Sequence, residues 1–328
     1  MAQGLRGHAA VRPIKTSARD LAPIVLFVYN RPDHTLKTIK ALKANTLASE
    51  SDLFIFSDAP RDESHQSAVT HVREFIRETN GFKSVTITER SSNFGLAKSI
   101  IDGVGSLIKT HKRLIILEDD LVTSPSFLAY MNNALNLYEH DEKVLHISGS
   151  IFPVKNPEAL PETFFYRATS CWGWATWERA WLFFEPDSNV LARDIKSRNL
   201  GPAFDIDDSY PYSKMLIDQA NGRVSSWAIR WYGSVFLRGG MCLHPRYSLV
   251  NNIGHDGSGI HCITSGGFEA DLAKSINFNM IDPVPVVENI EAVRQIRQFF
   301  IAQRPPFLKR VRSRLIRELR GIKNQLGR

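Results

Sequence analysis

The sequence predicts an α/β domain built on a mainly parallel sheet. Three observations lead there. Short apolar runs alternate with helical periodicities from Pro23 to about residue 150. Their spacing suits βαβ crossovers. The first run, "PIVLFVY", is apolar without alternation, as expected of a strand covered on both faces.

The elements follow in order. "PIVLFVY" is a buried strand, and "RPDHTLKTIKALKAN" a helix that places Leu36, Ile39, Ala41 and Leu42 on one face, with Asp33 able to cap its start. "DLFIFSD" is the second strand, and "ESHQSAVTHVREFIRETNG" a helix with Gly81 as its C-cap. "KSVTITE" and "GLAKSIIDGVGSLIKTH" give a third strand and helix, the helix softened by two glycines. "RLIILED" is the fourth strand. "SPSFLAYMNNALNLYEHD" is a helix with Ser124-Pro125 as its cap and first residue, and "KVLHISG" the fifth strand. Beyond 150 the rhythm breaks. Four of the six tryptophans fall within residues 172–181, where Trp177 and Trp181 have one-face helical spacing and read as core. "SSWAIRWYGSVFLRGG" reads as helical, and "MCLHPRYSLVNNIGHDGSGIHC" as a strand followed by a glycine-rich loop.

The organisation expected is a loose leader over 1–20, a ligand-binding half over 21–150, a second half of the same domain over 151–285, and a basic amphipathic tail over 286–328. The net charge of +7 is local: nine basic residues and one acid lie in 304–328, so the remainder is close to neutral. That excludes a nucleic-acid-binding core. Apolar residues spaced between arginines make the tail a candidate for an anionic membrane surface. Three scattered cysteines without metal spacing favour a reducing compartment. No stretch is long and apolar enough for a spanning helix, and the N-terminus lacks a secretory signal. The expected location is cytoplasmic, with the tail able to rest on the inner membrane face.

Ligands of such sheets bind beyond the carboxyl ends of the strands. Asn30-Arg31, Ser57-Asp58, the loop before Gly95 and Glu118-Asp119-Asp120 all fall there. Three adjacent carboxylates repel, and a hard divalent cation, Mn²⁺ or Mg²⁺, is their natural partner. The plainer use of such a triplet is a solvated turn before a helix. Asn93 and Gly95 precede a helix N-terminus that attracts phosphate. Lys98 lies one turn further and joins these nucleotide-binding candidates, although a solvated lysine is its ordinary role.

These blocks resemble the GT-A glycosyltransferases, in particular the N-acetylglucosaminyltransferase I family and its bacterial sugar-transferase relatives. The resemblance runs from about Pro23 to about Cys262. It is carried by "VYNRPDHTLKTIKAL", "FIFSDAP", "LIILEDDLVTSPSFLAY", "FFYRATSCWGWATWERAW" and "GMCLHPRYSLVNNIG". It implies a GT-A fold and a metal-dependent transfer of sugar from a nucleotide diphosphate sugar, UDP-linked, to a glycan or lipid-linked saccharide. Arg31 would bind the nucleotide, Asp58 read the nucleoside, Asp119 lie near the ribose and Asp120 hold the metal. Asp119 and His255 join Asp120 as metal candidates. Glu118 would face the donor sugar, Trp172-Gly173-Trp174 line the sugar and acceptor pocket, and Trp227 lie beside the transferred sugar.

One departure stands out. The eukaryotic relatives carry an Asp after that last tryptophan as catalytic base, and here the residue is Ala228. Asp256, then Asp218, are the replacements nearest in sequence, with Glu118 as the third candidate catalytic carboxylate. The alternative is a non-catalytic nucleotide-sugar-binding or scaffold protein with a degenerate site.

Overall fold

A computed structural model describes residues 21–256, 271–272 and 281–304. An eight-stranded sheet has β1 (Ile24–Val28), β2 (Asp52–Ser57), β3 (Ser84–Glu89) and β4 (Arg113–Glu118) at one end, in the order β3-β2-β1-β4, all parallel. The sheet continues through β8 (Trp174–Trp177), β6 (Val144–Ser148), β9 (Met241–Pro245) and β7 (Thr163–Tyr166). β8 and β7 run against their neighbours, while β6 and β9 keep the common direction. The expected mainly parallel α/β sheet is therefore present, with six of eight strands sharing one direction.

Alternation along the strands builds two cores. Ile24, Leu26 and Val28 of β1 and Ile115 and Leu117 of β4 point to one face. There they meet α1 (Pro32–Lys43), α2 (Glu63–Arg77) and α4 (Phe127–Leu137). Val25, Phe27, Leu114 and Ile116 point to the other. There they pack on α3 (Leu96–His111) and α9 (Trp227–Leu237). Strands buried on both faces need apolar residues at every position, which is why their sequences run unbroken.

A third cluster lies beside β7. It joins α6 (Ser188–Ser197), α8 (Tyr212–Ala220), α9 and α10 (Ile290–Ala302). Residues 290–302 fall in the stretch expected as tail, yet Ala292, Val293, Ile296 and Phe300 are buried in this cluster. The basic residues beyond 304, the leader and Cys262 lie outside the described residues. Among the described residues, no helix is long and apolar enough to cross a membrane, and Cys242 is a buried free thiol.

Several local expectations are corrected. Leu36 is exposed on α1, while Thr35, Thr38, Ile39 and Leu42 face the core. Arg31, not Asp33, is the N-cap of α1, because Pro32 takes the first helical position. Helix α2 stops at Arg77, and Gly81 sits in the bend beyond it. Ser124-Pro125 lies one turn ahead of α4, whose cap is Ser126. Trp177 belongs to β8 and Trp181 to the short helix α5 (Glu178–Trp181), so their spacing of four is not that of one helix. Both are buried all the same.

Candidate active site

The rim at the carboxyl ends of β1 and β4 carries the acids. Parallel pairing sets Phe27 of β1 opposite Glu118 of β4, so the residues that follow each strand emerge side by side. The Arg31 guanidinium reaches both Asp119 and Asp120, the latter at 3.0 Å. The Tyr29 amide donates to Asp119 at 3.3 Å, and the Thr38 hydroxyl to the Asp119 carbonyl at 2.8 Å. Burial opposes the Arg31 charge, but Asp119 and Asp120 more than offset it and raise its pKa.

One guanidinium faces three carboxylates. Glu118 receives a hydrogen bond from the Trp227 indole at 3.3 Å. Burial, then the charges of Asp120 and Asp119, push the Glu118 carboxyl up to about 8. Burial also raises Asp119, against the pull of Arg31. The rim thus holds more negative charge than its own cation neutralises.

A second strand pair brings a distant loop over it. β5 (Leu121–Thr123) pairs antiparallel with β10 (Val250–Asn252), setting Leu121 opposite Asn252. The Ile253 amide then donates to the Asp120 carbonyl at 2.9 Å. Gly254 lies so close that a Cβ there would sit 2.2 Å from an Asp120 carboxylate oxygen. Only glycine can pack so closely on that buried carboxylate. His255 packs edge-on to Trp172, with ring centroids 5.4 Å apart. Asp256 lies 3.2 Å from the His34 Nε2, which is also 3.3 Å from the Ile253 carbonyl oxygen.

The β2 and β3 ends form a separate polar knot. Asp58 accepts from the amides of Phe94 and Gly95, at 2.9 and 2.8 Å, and from that of Ala59 at 3.0 Å. The Asn93 amide group donates to the Ala59 carbonyl at 2.7 Å. Asp58 therefore shapes the loop that opens α3, a role the sequence reading did not assign it. Arg90 and Lys98 lie over the Phe94 ring, 4.0 and 4.2 Å from its centroid. Asn30 and Arg31 follow β1 on the same sheet edge.

The tryptophans divide. Trp174 is buried and stacks on Trp227, centroids 5.0 Å apart. It is core, not rim, because β8 is an interior strand of the sheet. Gly173 has φ of +64°, and a Cβ there would strike Val250 and Phe127. Trp172 remains partly exposed, beside His255. Asp218 stands apart from the acids on α8. Lys214 and Arg223 hold its carboxylate and lower its pKa, so it is a poor proton acceptor.

Tyr29, His34, Thr38 and Gly254 escaped the sequence reading. A signal existed for His34, which lies three residues after Arg31 at the start of α1. Gly254 becomes meaningful only through the β5–β10 pairing.

No family model matches the chain. It is 25% identical over 179 residues to an alpha-1,3-mannosyl-glycoprotein 2-beta-N-acetylglucosaminyltransferase of Arabidopsis thaliana. The match covers 51% of this chain and 39% of that enzyme, so the chain spans well under half the length of this relative. Among solved structures, it is similar to a mannosyltransferase from Pyrobaculum calidifontis, solved with GDP-Man and Mn²⁺. The identity is 12%, the coverage 66% of this chain and 76% of that one, and the TM-score 0.34. It is also similar to TarS of S. aureus, at 12% identity, 38% and 21% coverage and a TM-score of 0.28. The chain thus resembles GT-A glycosyltransferases of the N-acetylglucosaminyltransferase I type, as its Glu-Asp-Asp block does.

Proposed function

We propose that the protein is a glycosyltransferase that moves a sugar from a nucleotide diphosphate sugar, UDP-linked, to a saccharide hydroxyl. The observation that carries this reading is the convergence of Arg31, Glu118, Asp119, Asp120 and the Gly254 loop on one rim. An acidic rim backed by a partly buried arginine and crossed by a glycine loop suits a donor diphosphate accompanied by a divalent cation.

The residues fit such a cation in one particular way. Among the described residues, no group of three or more His, Cys, Asp or Glu side chains is arranged as a metal cage. Mn²⁺ or Mg²⁺ commonly takes one or two protein carboxylates and completes its shell with substrate phosphates and water. Asp120, on which Gly254 packs, would hold it, with Asp119 beside and His255 as the next candidate. The cation would supply charge neutralisation of the departing diphosphate.

The chain's own residues have separate tasks. Arg31 fixes the two aspartates and sets their direction. Trp227, hydrogen-bonded to Glu118, borders the position of the transferred sugar. Asp256 is the candidate base, because it lies on the loop that crosses the acids and beside His34. A base must come within about 3 Å of the acceptor hydroxyl or work through one water. Asp218 is a weak rival, being bound by two cations. In the same reading Asp58, through the loop it holds at Asn93–Gly95, shapes the nucleoside side, and the acceptor is a glycan or lipid-linked saccharide.

Release of nucleotide diphosphate from a panel of nucleotide sugars, with and without Mn²⁺, tests the reading. Metal-dependent release from one donor is the expected result. Asp256→Asn should then cut turnover by on the order of a hundredfold with donor affinity intact, and Asp218→Asn should leave turnover unchanged. The second reading, a nucleotide-sugar-binding protein without transfer, draws on Ala228. Tight donor binding with no release under any condition would establish it instead.

A further inference from the structure

A cavity of about 170 Å³ is lined in part by Trp227. Aromatic rings of Phe152, Tyr166, Trp172, Tyr212, Trp227 and Tyr232 are prominent in its wall. Ala228 lines it too, at the position where the eukaryotic relatives carry an acid. The cavity adjoins the rim, since Trp227 bonds Glu118 and Trp172 packs on His255.

Several of its polar atoms have partners. The Ser150 and Ser170 hydroxyls are bonded to each other at 2.6 Å. Both ring nitrogens of His244 face carbonyl oxygens, those of Ser150 and Ala168, each at 3.0 Å. Tyr166 stands out. It is 1% exposed, it lines the cavity, and its hydroxyl has no hydrogen-bond partner. Buried hydroxyls are rarely left so, and each such case needs a reason.

We propose that this cavity binds an apolar part of the acceptor: a six-membered carbon ring, or a short chain of equal bulk, carrying one hydrogen-bonding atom that meets the Tyr166 hydroxyl. Size supports it, because apolar cavities of about 150 Å³ take benzene. Chemistry supports it as well. A sugar ring with hydroxyls on every side would lose their hydrogen bonds against these aromatic walls. The apolar ligand has one polar atom to place, and the Tyr166 hydroxyl can receive it. The term acceptor rests on the glycosyltransferase reading, whereas the site itself does not.

Phenol and benzene are suitable probes, titrated into the full chain by calorimetry. Both should bind. Tyr166→Phe should weaken phenol about tenfold and leave benzene within about twofold, the loss of one hydrogen bond. Ala228→Phe should abolish both while thermal melting stays cooperative. Failure of either probe to bind the wild-type chain, or equal loss of both on Tyr166→Phe, would overturn the proposal. Donor turnover is measured separately, so each reading can fail alone. Probe binding without turnover keeps the cavity and removes the enzyme; turnover without probe binding does the reverse.

Discussion

The two ends of the sheet solve different problems. The β3-β2-β1-β4 end is parallel and finishes in a rim of charges tied by hydrogen bonds to backbone and to one another. The β8-β6-β9-β7 end is mixed and finishes in aromatic rings, with Trp174 stacked on Trp227 and packed beside Trp181 and Trp231. In the proposed reading, charge at one end sets direction and suits a hard ligand. Aromatic surface at the other excludes water and selects by shape. A transferase that joins a diphosphate donor to a saccharide acceptor needs both, and Trp227 is where they touch.

The largest expected effect breaks the aromatic end. Trp174→Ala should destabilise the fold by about 3–5 kcal/mol, the cost of removing a buried indole. Denaturant unfolding measures it. A loss below about 1 kcal/mol would show that the stack is not what holds β8 in place.

Breaking the charged end should come next. Arg31→Ala leaves Asp119 and Asp120 buried beside Glu118 without their cation, and should cost about 3 kcal/mol. Added Mn²⁺ should restore part of it, a recovery that Trp174→Ala should not show. Equal response of the two variants to Mn²⁺ would erase the distinction between the ends.

A smaller effect sharpens the comparison through pH. Burial, and then the neighbouring His244, depress His146 well below the usual histidine value, and burial depresses His244 also. His146 is neutral in the fold. The unfolded chain therefore binds protons first as pH falls, so the stabilisation from His146 is complete above about pH 6.5 and is lost below it. His146 should contribute a loss of about 1.4 kcal/mol per pH unit there. The Trp231 indole donates to His146 at 3.1 Å. His146→Gln should lower stability at pH 7.5 yet flatten its fall between pH 6.5 and 5. An unchanged slope would mean that His146 is not neutral in the fold.

The same division explains what the sequence revealed. The charged end is made of consecutive strand–helix units, so each strand pairs with elements near it in the chain and its apolar run is easy to see. Glu118, Asp119, Asp120 and Arg31 were legible for that reason, as residues that end such strands. The aromatic end pairs β8 with both β4 and β6 and places β9 between β6 and β7. Nothing local announces those partners. Trp177 and Trp181 therefore looked helical together, and Trp174 looked like rim. Asp58 was legible by position but not by task, because its partners are backbone amides, which leave no mark in the side-chain pattern. Gly254 required a pairing between segments about 130 residues apart.

The central claim is that Asp120 holds a divalent cation that brings the donor diphosphate to this rim. Calorimetric titration of UDP in the presence and absence of Mn²⁺, with the wild-type chain and Asp120→Ala, tests it most directly. Asp120→Ala removes one of three mutually repelling acids and leaves Arg31 with Asp119, so the fold should persist. The account predicts Mn²⁺-dependent UDP binding in the wild-type chain and its loss in the variant. Mn²⁺-dependent binding of unchanged affinity in Asp120→Ala would contradict it.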